Sequence, residues 1–311
     1  MAGVELIESE LLTEILMPED SLAAEDLATW MTTAPLRVTH LPTGISAVGE
    51  GQGNQVANKQ RALELLREAL VRNRDQANFL EAVKRGDTDA VANFLRNNKE
   101  LVRYADEHGK TALHWAAERN QAEVTRLLLD AGADIEAMTS WGATPLDWAA
   151  TMGSTDVAEL LLARGASGFT LIIAAGLGKL DDVKDIIASG ADLSAHRRRS
   201  APDSPNEDWP ADSAHIQRDV LSDAMYAAAR NGHTPLVEYL LDHGATVDAK
   251  GIFGATALHW AAINGHRITV ELLVSRGANL TIRDARFNST PEGWAIEGGH
   301  TELASVLHDD A

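Results

Sequence analysis

The 311-residue chain contains no cysteine. Disulfides, thiol nucleophiles and cysteine-ligated zinc or iron–sulfur sites are therefore excluded. No Lys or Arg precedes Arg37, so the N-terminus lacks the basic region of a secretory signal. Long apolar runs are also missing. The stretch "GFTLIIAAGLG" is about half of the roughly 20 residues a membrane-spanning helix requires. Positive charge is scarce: 27 Lys and Arg against 46 Asp and Glu give a net charge of −19. Such a surface repels phosphate, which argues against DNA and anionic lipid as partners. No H-E-x-x-H spacing occurs, so no metal site is expected. A soluble cytoplasmic protein without membrane contact fits these absences.

What the chain does contain is a repeat. "TALHWAAERN", "TPLDWAATMG", "MYAAARNGHTPLVEYLLDHGA" and "TALHWAAINGHRITVELLVSRGA" share one pattern. Equivalent positions fall at Val83, Ala117, Ala150, Ala175, Ala229, Ala262 and Ile296, with spacings of 34, 33, 25, 54, 33 and 34. Fifteen residues further on, Gly132, Gly165, Gly190, Gly244 and Gly277 are each followed by Ala. Fixed spacing inside the unit and variable spacing between units predict helix pairs joined by fingers of variable length. Thr111 and Thr144 read as helix caps, Pro145 as a first helical residue, and Gly132 as a helix stop. Paired alanines such as Ala116–Ala117 and Ala261–Ala262 suit close helix packing. Leu127–Leu129 and Leu160–Leu162 should face the next unit.

A period near 33 with this Thr-Pro-Leu-His-x-Ala character resembles the ankyrin repeat. The resemblance covers about residues 77–311 and implies a mainly α solenoid of about seven helix-turn-helix units. The 25-residue spacing implies a finger shortened by about eight residues, and the 54-residue spacing an insertion. That insertion, 196–219, reads "HRRRSAPDSPNEDWPADSAHIQRD" and has the composition of a loop. Arg197, Arg198, Arg199 and Trp209 within it could serve a partner. Trp115, Trp148, Trp260 and Trp294 recur at one position and read as packing between units. His114 and His259 match the motif histidine that bonds backbone and Thr hydroxyls. Family binding residues project from finger tips and the exposed inner helix. Carried over position by position, these are His108, Lys110, Arg119, Trp141, Met152, Phe253 and Asn264.

Ahead of the repeats lies a different signal. "RVTHLPTGI", residues 37–45, with Gln55, Asn58, Lys59, Ala62, Leu63 and Leu66, resembles the catalytic domain of class I peptide chain release factors. This segment reads as a strand, a Pro-Thr-Gly turn, a second strand and a basic helix from about Val56 to Val71. Residues 62, 63, 66 and 70 form its apolar face. The family's Gly-Gly-Gln would fall at Glu25, Asp26 and Leu27, so peptidyl-tRNA hydrolysis is not expected. Candidate RNA or ribosome contacts are Arg37, His40, Gln55, Asn58, Lys59 and Arg61.

Residues 1–36 carry eight acids and no base. "VELIESELLTEILM", residues 4–17, places Val4, Ile7, Leu11, Leu12, Ile15 and Leu16 on one side of a helix. This acidic arm is expected to fold back on the basic helix of 37–74. The anticipated organisation is thus an arm at 1–36, a small α+β segment at 37–76 and repeats at 77–311. The expected function is a non-enzymatic scaffold for an unidentified protein, with no catalytic residue and no cofactor. The alternative is a ribosome-associated, release-factor-like protein acting through 37–74.

Overall fold

A computed structural model describes residues 6–16, 33–51, 53–140, 142–189 and 220–308. The chain divides into two units, Met1–Glu81 and Ala82–Ala311.

The first unit holds a three-stranded antiparallel sheet in the order β1 (Leu11–Ile15), β2 (Leu36–His40), β3 (Ser46–Gly49). A short 3-10 turn, Glu8–Glu10, leads into β1. The register pairs Leu11 with His40 and Ile15 with Leu36, and then Leu36 with Gly49. Residues 41–44 turn the chain between β2 and β3, with Gly44 at φ 68° donating to the His40 carbonyl at 2.8 Å. Helix α1 (Gln55–Arg85) follows. Its residues Ala62, Leu66 and Leu70 are buried with Val38, and Leu6, Leu11, Ile45, Ala47 and Leu63 pack around them. β3 and α1 approach so closely that a Cβ on Gly49 would lie 1.8 Å from the Asn58 carbonyl oxygen.

Two expectations need correction here. The segment at 4–17 is not an amphipathic helix where it is described. It is the 3-10 turn and strand β1. Pairing along β2 satisfies the backbone of an edge that would otherwise stay open, and β-branched Thr13 and Ile15 suit a strand. The second correction concerns α1, which runs on to Arg85 rather than ending near Val71. No Gly or Pro interrupts residues 55–85, and Gly86, at φ 71°, ends the helix. The two compact units divide between Glu81 and Ala82, within this helix.

The second unit is a stack of helix pairs. The last turn of α1, from Ala82, pairs with α2 (Thr88–Asn97). Next come α3 (Ala112–Glu118) with α4 (Ala122–Asp130), and α5 (Pro145–Met152) with α6 (Thr155–Ala163). Then follow α7 (Leu171–Gly176) with α8 (Leu180–Ala188), and α9 (Val220–Arg230) with α10 (Thr234–Asp242). The last pairs are α11 (Ala257–Ile263) with α12 (Arg267–Ser275), and α13 (Pro291–Glu297) with α14 (Thr301–Ala304). The first helices of successive pairs pack on one another from α3 through α13.

The stack continues across the irregular middle. The short connection 164–170 leaves α5 packed on α7, and α7 packs on α9 although 190–219 separates them in sequence. Leu171, Ile172, Ala175, Val220, Ala224 and Ala228 share one core. Asn231 reinforces the junction by donating to the carbonyls of Ala150 (2.9 Å) and Gly176 (2.8 Å). The insertion 196–219 itself lies outside the described residues.

The local chemistry of one pair explains its shape. Thr144 caps α5: its Oγ1 accepts from the Asp147 amide, and the Asp147 carboxylate accepts from the Thr144 amide. His114 plays the reciprocal part at Thr111, its Nδ1 accepting the Thr111 amide at 3.1 Å. That bond leaves Nε2 to donate to Ala143 of the next pair at 3.0 Å. His259 repeats the arrangement with Thr256 and Ser289. Ala116, Ala117, Ala149, Ala150, Ala261 and Ala262 are all buried. Only the middle leucine of each triplet, Leu128 or Leu161, is fully buried. Its neighbours are half-exposed.

Candidate functional site

The finger tips are held side by side by backbone bonds. Ser140 N donates to the His108 carbonyl at 2.8 Å, and Ala285 N to the Phe253 carbonyl at 2.6 Å. His108 and Phe253 occupy equivalent places in their fingers, so one device recurs. Asp106 shapes the first of these tips, accepting from the amides of His108 (3.0 Å) and Lys110 (2.9 Å). Asp284 shapes the last, accepting from the amides of Arg286, Phe287 and Ser289 and from the Trp294 indole. Burial pushes the Asp284 carboxyl up, but these four donors outweigh it and hold it below the usual carboxylate range.

The inner helices carry a mixed stack of rings and cations. Lys110 is 6% exposed. Its Nζ lies 3.3 Å from the Trp115 ring centroid and 4.1 Å from that of Trp148, and it pairs with the Glu118 carboxylate. Lys84 covers Trp115 from the preceding pair at 4.5 Å. Burial pulls the Lys110 ammonium below its usual range, although Glu118 opposes the shift. Four pairs further on, the Arg230 guanidinium lies 3.8 Å from the Trp260 centroid and donates to the Met152 sulfur at 3.3 Å. Trp260 meets Trp294 edge-on at 5.1 Å. At the corresponding positions of the fourth and fifth pairs stand Ile173 and Ala227, both buried, so the aromatic stripe has two halves.

The recurring tryptophans are thus not uniform core. Trp294 is, at 4% exposure, with its indole N–H on Asp284. Trp115, Trp148 and Trp260 are half-exposed, and their faces carry cations. Sequence reasoning missed Lys84, Arg230 and Arg286 as members of these stacks. The rings of Trp115, Trp260 and Phe253 that they meet lie about one repeat away in sequence.

Among the finger and inner-helix candidates, Arg119 is exposed at the end of α3, while His108, Met152 and Phe253 are half-buried. Asn264 is exposed, but its amide donates to the carbonyls of Arg230 and Trp260. Lys110 is taken up by the ring stack and offers little surface. Trp141 lies outside the described residues.

The first unit places the ribosome candidates as follows. Arg37 is exposed on β2, paired across strands with Glu14. His40 Nε2 is 3.5 Å from Glu10, and the described part of the acidic segment pairs with β2 while Leu6 and Leu11 pack around the apolar residues of the basic helix. Arg61 faces solvent beside Glu64, and Gln55 and Lys59 are half-exposed. Asn58 is fully buried, donating to the Thr33 and Ala34 carbonyls at 2.9 Å each. It holds the segment before β2 against α1 and cannot meet RNA. Glu25, Asp26 and Leu27 lie outside the described residues.

No group of three or more His, Asp or Glu suited to a metal occurs among the described residues. No described helix is long and apolar enough to cross a membrane.

The family model described as ankyrin repeats (3 copies) matches residues 79–170 and again 171–284. Palmitoyltransferase akr1 of Schizosaccharomyces pombe is 42% identical over 57 residues, 18% of this chain. A transient receptor potential cation channel subfamily A member 1 homolog of Caenorhabditis elegans is 27% identical over 172 residues, 55% of this chain. The alignments span 9% and 10% of those two proteins. Among solved structures, the human ASB11 ankyrin repeat domain aligns at 22% identity and a TM-score of 0.38, covering 75% of this chain and 98% of that one. The matched segments, the period and the paired helices together place this chain in the ankyrin-repeat family.

Proposed function

We propose that this chain is a scaffold that binds another protein through its finger tips and inner helices. The observation that supports this most is the backbone linkage of neighbouring tips, Ser140 to His108 and Ala285 to Phe253. It fixes the backbones of neighbouring tips against each other, which lowers the ordering cost that an interface must meet. His108, Arg119, Met152, Phe253 and Asn264, with Trp141, are the contact residues of this proposal. The reading requires no reaction centre, and the absence of cysteine favours a reducing, cytoplasmic setting. Affinity capture with the wild-type chain and with an Arg119→Ala/Phe253→Ala variant tests it. A defined protein should be retained by the wild type and lost by the variant at unchanged melting temperature. Equal retention by both would refute the assigned surface.

A second reading, a ribosome-associated protein without hydrolase activity, rests on the resemblance of residues 37–66 to release factors. Arg37, His40, Gln55, Lys59 and Arg61 would carry it. The strand–turn–strand–helix order of 36–85 is compatible. The family model begins at residue 79 and lends it no support. Co-sedimentation with ribosomes decides: an unbound chain at low salt ends this reading.

A further inference from the structure

The tips of the last two fingers form a cluster unlike the rest of the surface. Phe253 sits at φ 61°, a left-handed conformation that non-glycine residues seldom adopt. It is held there by Gly251 N to Ala255 O and by Ala285 N to its own carbonyl, both 2.6 Å. This places its ring over the Arg286 guanidinium, 4.7 Å from Cζ to the ring centroid. On the neighbouring finger the Phe287 ring lies 5.3 Å from the same Cζ. Phe287 is 62% exposed and braced edge-on against Trp294 at 6.2 Å.

Arg286 is therefore stacked by two rings. Yet among the described residues its guanidinium makes no hydrogen bond or ion pair. Arg96 and Arg119 share that property among the described residues, but Arg286 differs from them in its two ring contacts. Arg126, Arg164, Arg267 and Arg276 each meet a carboxylate. The two tips, 249–256 and 281–290, contain Lys250, Arg283 and Arg286 and a single acid, Asp284. Asp284 is buried and its oxygens are occupied by four donors. A locally basic, ring-stacked fork thus stands on a chain whose net charge is −19.

The geometry points to a carboxylate-binding site at Phe253, Arg286 and Phe287 for a short acidic peptide segment of a protein partner. It deepens the scaffold reading and depends on it. Contact with two rings restrains the intrinsically planar guanidinium and leaves N–H donors for a planar, bidentate acceptor. The open part of the Phe287 ring suits an apolar side chain next to that carboxylate. A nucleic acid would offer phosphates to the same fork. Its many charges would then extend over the surrounding acidic surface, where a single Asp or Glu in a peptide would not.

Selection of a random-peptide display library on the immobilised full chain tests the site, followed by fluorescence anisotropy of the enriched peptides made synthetically. The expected enrichment is Asp or Glu beside Phe, Leu or Trp. Arg286→Ala and Phe253→Ala/Phe287→Ala should weaken binding at least tenfold, Arg286→Lys nearly as much, and Asp/Glu→Asn/Gln in the peptide likewise. Thermal melting of the variants should match the wild type. Enriched peptides that lack acids, or that bind these variants unchanged, would overturn the carboxylate site while leaving the scaffold reading intact. Failure to enrich any peptide would also overturn it. The scaffold reading would then rest on its own protein-capture test.

Discussion

Lys110 sits where two indole faces and a carboxylate meet, and its burial makes each of those contacts matter. Replacing it by Ala removes two cation–π contacts and leaves Glu118 without its partner. The expected cost is about 2 kcal/mol, read as a lower urea midpoint. A change below about 0.5 kcal/mol would mark Lys110 as an ordinary surface lysine.

His114 gives a pH-dependent counterpart. Burial, opposed by its bond to Ala143, lowers its pKa from 6.5 to about 4. Above pH 6.5 the residue is neutral in both folded and unfolded chains. Between 6.5 and 4 the unfolded chain takes up a proton that the folded one refuses. Stability should therefore be complete above pH 6.5 and fall as pH drops, by about 3 kcal/mol from this residue alone. His233 and His259 are lowered by burial as well and act in the same direction. Urea unfolding at pH 7.5 and pH 4.5 should show the loss, with a shallower pH slope in His114→Asn. Equal slopes would show that this histidine contributes nothing to acid sensitivity.

At the scale of elements, the junction of β3 and α1 is the tightest point of the first unit. Gly49→Ala would drive a methyl into the Asn58 carbonyl and the Ala62 amide. Backbone on both sides must then separate, at a cost of about 3 kcal/mol. Amide exchange at Leu16 and Leu41, whose N–H groups bond to Pro35 and Glu10, should quicken in this variant. Unchanged protection would mean that β1 and β2 do not depend on the helix contact.

The same scale shows what could be read from sequence. The repeat helices were legible because Thr caps, alanine pairs and glycine stops mark both ends of each. β1 was not. In Leu11–Ile15 and the residues around it, apolar positions satisfy a period of 3.6 and also leave Leu11 and Ile15 on one strand face. Choosing between them needs the partner strand, which lies past residue 35. The cation–ring stacks were hidden for a related reason. Lys110 meets Trp148, and Arg230 meets Trp260, only after neighbouring pairs have stacked. Arg286 meets Phe253 in the same way across two fingers.

For the repeat unit as a whole, continuity through the middle is the decisive property. Stability of a repeat array is a sum of pair stabilities and nearest-neighbour interfaces, so one failed interface splits it. The α7–α9 contact spans 190–219 and is built from small residues, including Ala175 and Ala228. An Arg at Ala228 cannot fit there and would leave a buried charge. If the interface joins both halves, far-UV circular dichroism and tryptophan fluorescence should report one coincident urea transition for the wild-type repeats and two for Ala228→Arg. The most direct measurement is hydrogen exchange of α7 and α9 amides in the wild-type chain. The two helices should open together with a shared free energy. Independent opening of the two helices, with α9 unaffected by destabilising α5 through Leu146→Ala, would contradict it.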